Sequence, residues 1–348
     1  MTKLRWGILG TGHIAGVLAG GVAASQSSVL AAVGSRTPAS AERFAREFGA
    51  SRAHGSYEAL LADRDVAAVY IATPHPDHAA WAIRAAQAGK HILCEKPLTL
   101  NRAGADQVAA AARAAGVLLM EAFMYRCHPQ TAKVVELVAG GAIGRVGLVQ
   151  ATFSFNTDFN RANRWWNRQL GGGGILDVGC YPVSLARLLA GVAEGKPFAD
   201  PVSVAGAGQL HPETGVDVYA AATLKFASGI VAQVACGVGL QQDNSVRVYG
   251  SDGWLHVPEP WKPGCADGRS RFTVHRRGAA GPEEIVVTAP PLYAVEVDAF
   301  AAALAAGKSD VPAMTVADTL GNMAVLDQWR AAVGVIYPGE RAGAGAAG

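Results

Sequence analysis

Two patterns of apolar and polar residues divide the chain, and the change falls near Tyr125. Before it, short apolar runs alternate with longer segments of helical period. Leu4-Arg-Trp-Gly-Ile-Leu9 predicts a first strand, and Ile14 to Ala24 a helix. Val29 to Val33 and then Ala39 to Phe48 repeat the pair. Val66 to Ala72 precedes a helix from Asp77 to Ala88, and His91 to Cys94 precedes one from Asn101 to Ala115; Val117 to Met120 is a last strand. Strands alternating with helices of this length predict a parallel, doubly wound α/β sheet. Gly49, Gly89 and Gly116 fall where these helices should end, the place of C-cap glycines.

After Tyr125 the period shortens. Arg145 to Asn156, Asp217 to Phe226 and Ile230 to Leu240 alternate as strands with one buried face, and Ala227-Ser-Gly229 reads as a turn between the last two. Asn244 to Tyr249 and Gly253 to Val257 continue the series. Such succession predicts a large, mostly antiparallel open sheet. Helices follow at Ala294 to Ala306 and Val316 to Ala332, and no internal repeat is visible.

Composition narrows the class. The chain has 348 residues, of which 50% are hydrophobic and 17% charged, enough for two buried cores. A net charge of +2 without blocks of like charge argues against a nucleic-acid or membrane-surface partner. No apolar run reads as a transmembrane segment, and the amino terminus enters a strand at once, so neither a membrane anchor nor a signal peptide is expected. The five cysteines (Cys94, Cys127, Cys180, Cys236, Cys265) are scattered and form no C-x-x-C pair, which suits reduced thiols in the cytoplasm.

The first strand ends in Gly10-Thr-Gly-His-Ile-Ala15. Gly10 permits the tight turn, Gly12 lets backbone N–H groups approach a pyrophosphate, and Ala15 lets helix pack on strand. The turn through His13 and Ile14 then aims the helix N-terminus at the anion. This is the Rossmann arrangement, and it predicts a dinucleotide-binding domain over residues 1–124. An α+β domain for substrate binding and oligomerisation is expected over 125–338, with a flexible Gly/Ala-rich tail at 339–348.

Cofactor choice is read from the end of the second strand, Gly34-Ser35-Arg36-Thr37. NAD sites usually place an acid there, and none occurs before Glu42. Arg36 would attract a 2′-phosphate and Ser35 and Thr37 offer hydroxyls, so NADP is expected over NAD.

Three more segments leave strand ends where parallel sheets bind ligands. Ala72-Thr73-Pro74-His75-Pro-Asp-His78 should pass the cofactor; His75 and His78 lack a third ligand at metal spacing, so no metal is expected. Cys94-Glu95-Lys96-Pro97 puts an ammonium in the cleft, suited to acid/base work. Glu121-Ala-Phe-Met124-Tyr-Arg126 leads into the second domain. Further on, Trp165 or Trp166 could wall a sugar-sized site, and Arg168 could approach the nicotinamide amide. Phe153 and Phe155, on one strand face with Val231 and Val234 nearby, are expected on an open sheet surface that forms a homodimer or homotetramer.

Gly10-x-Gly-x-x-Ala15, Glu95-Lys-Pro97, the segment ending Met124-Tyr-Arg126, and Gly171-Gly-Gly-Gly-Ile-Leu-Asp-Val-Gly-Cys-Tyr-Pro182 together resemble the Gfo/Idh/MocA oxidoreductase family. The resemblance implies that Lys96 hydrogen-bonds substrate beside the nicotinamide, with a cis Lys96–Pro97 peptide, and that Asp177 is the site carboxylate. Many members carry histidine where this chain has Tyr181, which points to the dimeric dihydrodiol dehydrogenase and NADP-dependent D-xylose dehydrogenase branch. Tyr181 would then exchange the proton, with its pKa lowered by Lys96. Glu95, Met124, Arg126 and Arg168 are also expected in the cofactor set. Pro182 requires that the helix either kinks at Tyr181 or starts there. The expected activity is hydride transfer at a secondary alcohol or hemiacetal carbon of a sugar, polyol or cyclic diol; the alternative is a dinucleotide-binding regulator without turnover.

Overall fold

The computed structural model describes residues 3–340. Its first part builds β1 (Leu4–Leu9), α1 (His13–Ala24), β2 (Ser28–Gly34), α2 (Pro38–Phe48), β3 (Arg52–His54), α3 (Tyr57–Leu61), β4 (Ala68–Ile71), α4 (His78–Gln87), β5 (His91–Glu95), α5 (Arg102–Ala115) and β6 (Leu119–Ala122). The strands run in parallel in the order β3-β2-β1-β4-β5-β6. The order reverses at β1, so the chain leaves β1 and β4 in opposite directions and opens a crevice at their carboxyl ends. Thr37 and Asn101 cap α2 and α5 through their side chains, and Gly49 and Gly116 end them with φ of 72° and 64°. β3 and α3 were not foreseen, because a three-residue edge strand carries no usable period.

The second part adds α6 (Met124–Cys127), α7 (Pro129–Ala139), β7 (Val146–Ser154), α8 (Cys180–Val192), β8 (Pro201–Leu210), β9 (Asp217–Phe226), β10 (Val231–Gly237), β11 (Val246–Gly250), β12 (Gly253–Val257), β13 (Arg269–Arg276), β14 (Glu283–Thr288), α9 (Leu292–Ala305) and α10 (Val316–Val333). Its eight strands lie in the order β14-β13-β12-β11-β7-β10-β9-β8. Only β7 and β10 pair in parallel; every other neighbour is antiparallel. β8, β13 and β14 also escaped the sequence pattern. β8 carries Gly206 and Gly208 where apolar residues would have shown alternation. Those glycines admit α10: a Cβ at Gly206 would lie 2.7 Å from Trp329, and one at Gly208 2.9 Å from Val333.

α8 and α10 cover one face of this sheet, and the strands bury Val149, Ala151, Leu224, Val234, Cys236 and Val248 there. Phe153, Phe155 and Val234 therefore belong to the covered side, not to the open one as the alternation suggested. Phe153 packs its ring 5.1 Å from Tyr181 and Phe155 packs 5.2 Å from Trp165. The open face instead presents a shallow groove of small and polar side chains, among them Gln150, Ala207, Ala221, Thr223 and Ala235.

The last helices do not stay with the second sheet. α9 returns to the first part, where Phe300 meets Trp6 at 5.1 Å and a Cβ on Gly21 would lie 2.6 Å from Tyr293 Cβ. Among the described residues one segment, Arg168–Val192, has the length and apolarity of a membrane span despite the sequence reading, and it is buried inside the fold. Of the tail expected to fray, residues 341–348 lie outside the described residues. Glu340 is held, with Arg330 at 2.9 Å and Asn101 at 2.9 Å.

Candidate active site

The glycine turn is built as its spacing demands. Gly10 has φ +111°, and a Cβ there would lie 2.8 Å from the Ala72 carbonyl oxygen, so only glycine lets β1 approach β4 at this point. Gly12 is the N-cap of α1, makes no side-chain cap, and has open space where a Cβ would stand. The first turn of α1, with His13 exposed and Ile14 half-buried, holds no acid, so its free N–H groups face outward without competition. Thr11 Oγ1 lies 3.3 Å from Ser35 Oγ and ties the turn to the end of β2. Thr37 beside it spends its hydroxyl on the cap of α2. Arg36 is exposed and, among the described residues, in no ion pair. Thr73 has a buried Oγ1 without a partner at the end of β4, next to the exposed Pro74. An orphaned hydroxyl, an open glycine cradle and a free guanidinium fit the phosphates and 2′-phosphate of a dinucleotide.

Across the crevice the structure brings Lys96 to Asp177. Lys96 Nζ donates to the Asp177 backbone carbonyl at 2.6 Å and stands 3.4 Å from its carboxylate. The Lys96–Pro97 peptide is cis. Arg164 completes the group: its Nη2 bonds Asp177 Oδ1 at 2.9 Å and its Nη1 lies 3.5 Å from His75 Nε2. His75 donates Nδ1–H to the Gly171 carbonyl at 3.2 Å, because a carbonyl only accepts. Burial holds His75 well below its usual pKa, so the ring is neutral. Burial alone would raise the Asp177 pKa, but Lys96 and Arg164 outweigh it and keep the carboxyl well below the ordinary range.

The glycine run explains how Asp177 arrives there. A Cβ at Gly172 would lie 2.5 Å from the Arg164 carbonyl oxygen, and one at Gly174 3.0 Å from Gly237 Cα. Gly173 has φ +111° and faces Asp217, whose Oδ2 receives the Ile175 N–H at 2.6 Å. A π-helical turn, Ile175–Gly179, then leads into α8 at Cys180. Of the two geometries Pro182 allows, the regular α-helix starts just before Tyr181, with Asp177 in a wider turn ahead of it.

Tyr181 corrects one expectation. Its ring is enclosed by Phe123, Phe153, Tyr125 and Trp261, and Lys96 Nζ sits 5.1 Å from the ring centre, not at the hydroxyl. Burial dominates and pushes the phenol well above its ordinary pKa, where Lys96 was expected to lower it. The hydroxyl's partner is Met124 Sδ at 3.6 Å.

Several other residues turn away from the crevice. His78 is fully buried between two site turns, with Nδ1 2.9 Å from the Pro97 carbonyl and Nε2 2.9 Å from the Thr73 carbonyl; a neutral ring donates its one N–H to one of them. Glu95 spends its carboxyl on the Tyr70 hydroxyl and the Lys96 N–H. Arg126 is locked to Asp318 at 2.7 Å and Ser184 at 2.8 Å inside the protein. Arg168 bonds the Ile336 carbonyl at 2.5 Å, on the carboxyl-terminal segment. Trp166 is buried against Val216 and Val238 and donates to Thr157, leaving half-buried Trp165, under Arg164, as the tryptophan beside the site. Arg164 carries no signal of its role in the sequence, since nothing in Asn163-Arg-Trp-Trp-Asn-Arg168 distinguishes its two arginines.

Comparison with known proteins agrees with this architecture. Residues 4–123 match the profile of the oxidoreductase family with an NAD-binding Rossmann fold, and residues 131–256 match the Gfo/Idh/MocA C-terminal domain. An NADP(+) D-xylose 1-dehydrogenase of Haloferax volcanii is 38% identical over 88% of this chain and 90% of its own length. The mouse trans-1,2-dihydrobenzene-1,2-diol dehydrogenase is 30% identical over 97% of this chain and 99% of its own. A 3-ketoreductase from Actinomadura kijaniata, solved with NADP and TDP-benzene, superposes with a TM-score of 0.85 at 31% identity, covering 95% of this chain and 98% of that one. With both of its domains matched and relatives aligned along nearly its whole length, the chain belongs to the Gfo/Idh/MocA family of oxidoreductases.

Proposed function

We propose that the protein is an NADP-dependent oxidoreductase acting on a secondary alcohol or hemiacetal carbon of a sugar, polyol or cyclic diol. The observation that carries the reading is the meeting of Lys96 with Asp177 across the crevice from the open Gly12 turn and the free Arg36. The relatives named above act on pentose and diol substrates or bind NADP, which supports the same reading.

Gly10, Gly12 and the first turn of α1 would hold the pyrophosphate, Arg36 the 2′-phosphate, and Thr73 would give its hydroxyl to the nicotinamide side. Bound there, the cofactor supplies the hydride acceptor or donor. Lys96 spends one N–H on the Asp177 carbonyl and makes only a long, 3.4 Å contact to its carboxylate, which leaves a donor for the substrate oxygen. Asp177, held ionised, orients a neighbouring hydroxyl as an acceptor. Tyr181, neutral across the working range, donates its phenolic proton to the nascent alkoxide in the reducing direction. Its present partner is a thioether, a weak acceptor that a substrate oxygen readily displaces.

The test is an NADP+ reduction screen over pentoses, hexoses, inositols, anhydrosugars and dihydrodiols. Turnover on one of these classes supports the reading. Tight NADPH binding with no turnover on any of them favours a dinucleotide-binding regulator.

A further inference from the structure

We propose that Arg164 is a positioning residue: it holds the Asp177 carboxylate so that the Lys96 ammonium stays free for the substrate oxygen. This rests on the reading above in one respect, that Lys96 faces substrate.

The distances divide the labour. Lys96 makes its short bond, 2.6 Å, to the Asp177 backbone carbonyl, while the carboxylate lies 3.4 Å away. The close partner of the carboxylate is Arg164, at 2.9 Å. Its second Nη faces the lone pair of His75 Nε2 at 3.5 Å, and His75 is itself fixed by Gly171. A planar fork spans two acceptors in this way; a lysine would reach one. The Arg164 side chain is 46% exposed, so the guanidinium stands at the rim with the Trp165 ring 5.3 Å from its Cζ.

Among the described residues, the titratable groups that act on Asp177 come from several elements. Lys96 comes from the end of β5, His75 from the turn after β4, and Arg164 from the loop before the glycine run. Cys180 and Tyr181 open α8 just after it, Cys236 lies on β10 and Tyr337 on the carboxyl-terminal segment. Burial keeps those cysteines and tyrosines uncharged by raising their pKa values. His75 is neutral, so Lys96 and Arg164 are the cations. Without Arg164 the carboxylate has only Lys96, and it competes with the substrate for that ammonium.

Two measurements decide it. The first is a cycle of Arg164→Met, Asp177→Asn and the double variant on the best substrate. Arg164→Met should lower kcat about tenfold to a hundredfold with little change in KM for NADP, and Arg164→Lys should recover part. In the Asp177→Asn background the same change should cost less than about threefold, since the group it acts through is gone. Equal losses in both backgrounds would overturn the proposal and assign Arg164 to the substrate itself. The second is a 13C titration of the Asp177 carboxyl in ligand-free protein. Arg164→Met should raise its midpoint by about one to three pH units, and an unmoved midpoint overturns the proposal. This titration needs no turnover, so it stands apart from the NADP reading, whose own failure would appear as wild-type protein that does not bind NADPH. Misfolding would show in the melting temperature and would not be relieved by Asp177→Asn.

Discussion

The Tyr181 hydroxyl meets the sulfur of Met124 at 3.6 Å, while the Lys96 ammonium lies over the face of the same ring, 5.1 Å from its centre. The ammonium therefore does little to make the phenol acidic, and the aromatic enclosure keeps it protonated. Tyr181→Phe should lower kcat for carbonyl reduction by about 10²–10⁴-fold while NADPH binding is retained. Lys96→Ala should be the worse of the two, and the double variant should lose less than the product of the single losses. Unchanged kcat in Tyr181→Phe, with chemistry shown to be rate-limiting, transfers the proton to Lys96 or a bound water.

Arg36 is exposed at the end of β2 and, among the described residues, in no ion pair. Arg36→Asp should move the NADP:NAD ratio of kcat/KM by about tenfold to a hundredfold toward NAD, as expected for one charge-assisted contact of about 1.5–3 kcal/mol. A ratio that does not move assigns the 2′-phosphate to another group.

Asp217 and Glu121 are pushed up to about 7 by burial. Each keeps its proton in the folded protein over a range, from about pH 4 to 7, in which the unfolded chain has released it. Each therefore makes stability fall as pH rises through that window. His75 and His128, whose pKa values burial lowers, act in the opposite sense, so the readout is a difference. Urea unfolding of Asp217→Asn should show a pH dependence that differs from wild type by more than ~1 kcal/mol across the window, with less loss toward neutral pH. Parallel curves would mean that Asp217 ionises normally.

The open groove of the second sheet carries Ala207, Ala221 and Ala235 side by side on neighbouring strands, a surface small enough for close approach of another sheet. We expect a homodimer or a dimer of dimers through this face, and Ala221→Arg should release monomers. Sedimentation at micromolar concentration reads it directly: wild-type protein at the 35.8 kDa of one chain defeats the expectation.

Where a period was long, the sequence disclosed the fold. The pairs β1–α1, β2–α2, β4–α4 and β5–α5, the cofactor turn and the middle of the antiparallel series were legible because apolar spacing repeats there. β3 was too short, and β8 hid its alternation behind glycines that serve α10. The site was legible wherever a residue's role is local, as for Gly10 in its turn. It was illegible where a distant partner decides. Arg126 is captured by Asp318, 192 positions later. Arg164 and Arg168 are separated only by tight turns that rotate one onto Asp177 and the other onto Ile336. Phe153 and Phe155 had the right face but the wrong neighbour, since strand alternation alone does not say which side a helix will cover.

The return of α9 bears on how this family of enzymes can be cut and recombined. Trp6 on the first strand and Gly21 on the first helix both rest against α9, far along the chain, at Phe300 and Tyr293. A cofactor module excised at residue 124 would leave that seam exposed to water, and one grafted from a relative would meet a helix shaped for another partner. Exchange of nucleotide specificity between such proteins must therefore transplant Leu292–Ala305 together with the amino-terminal third, or confine itself to the loop at Arg36.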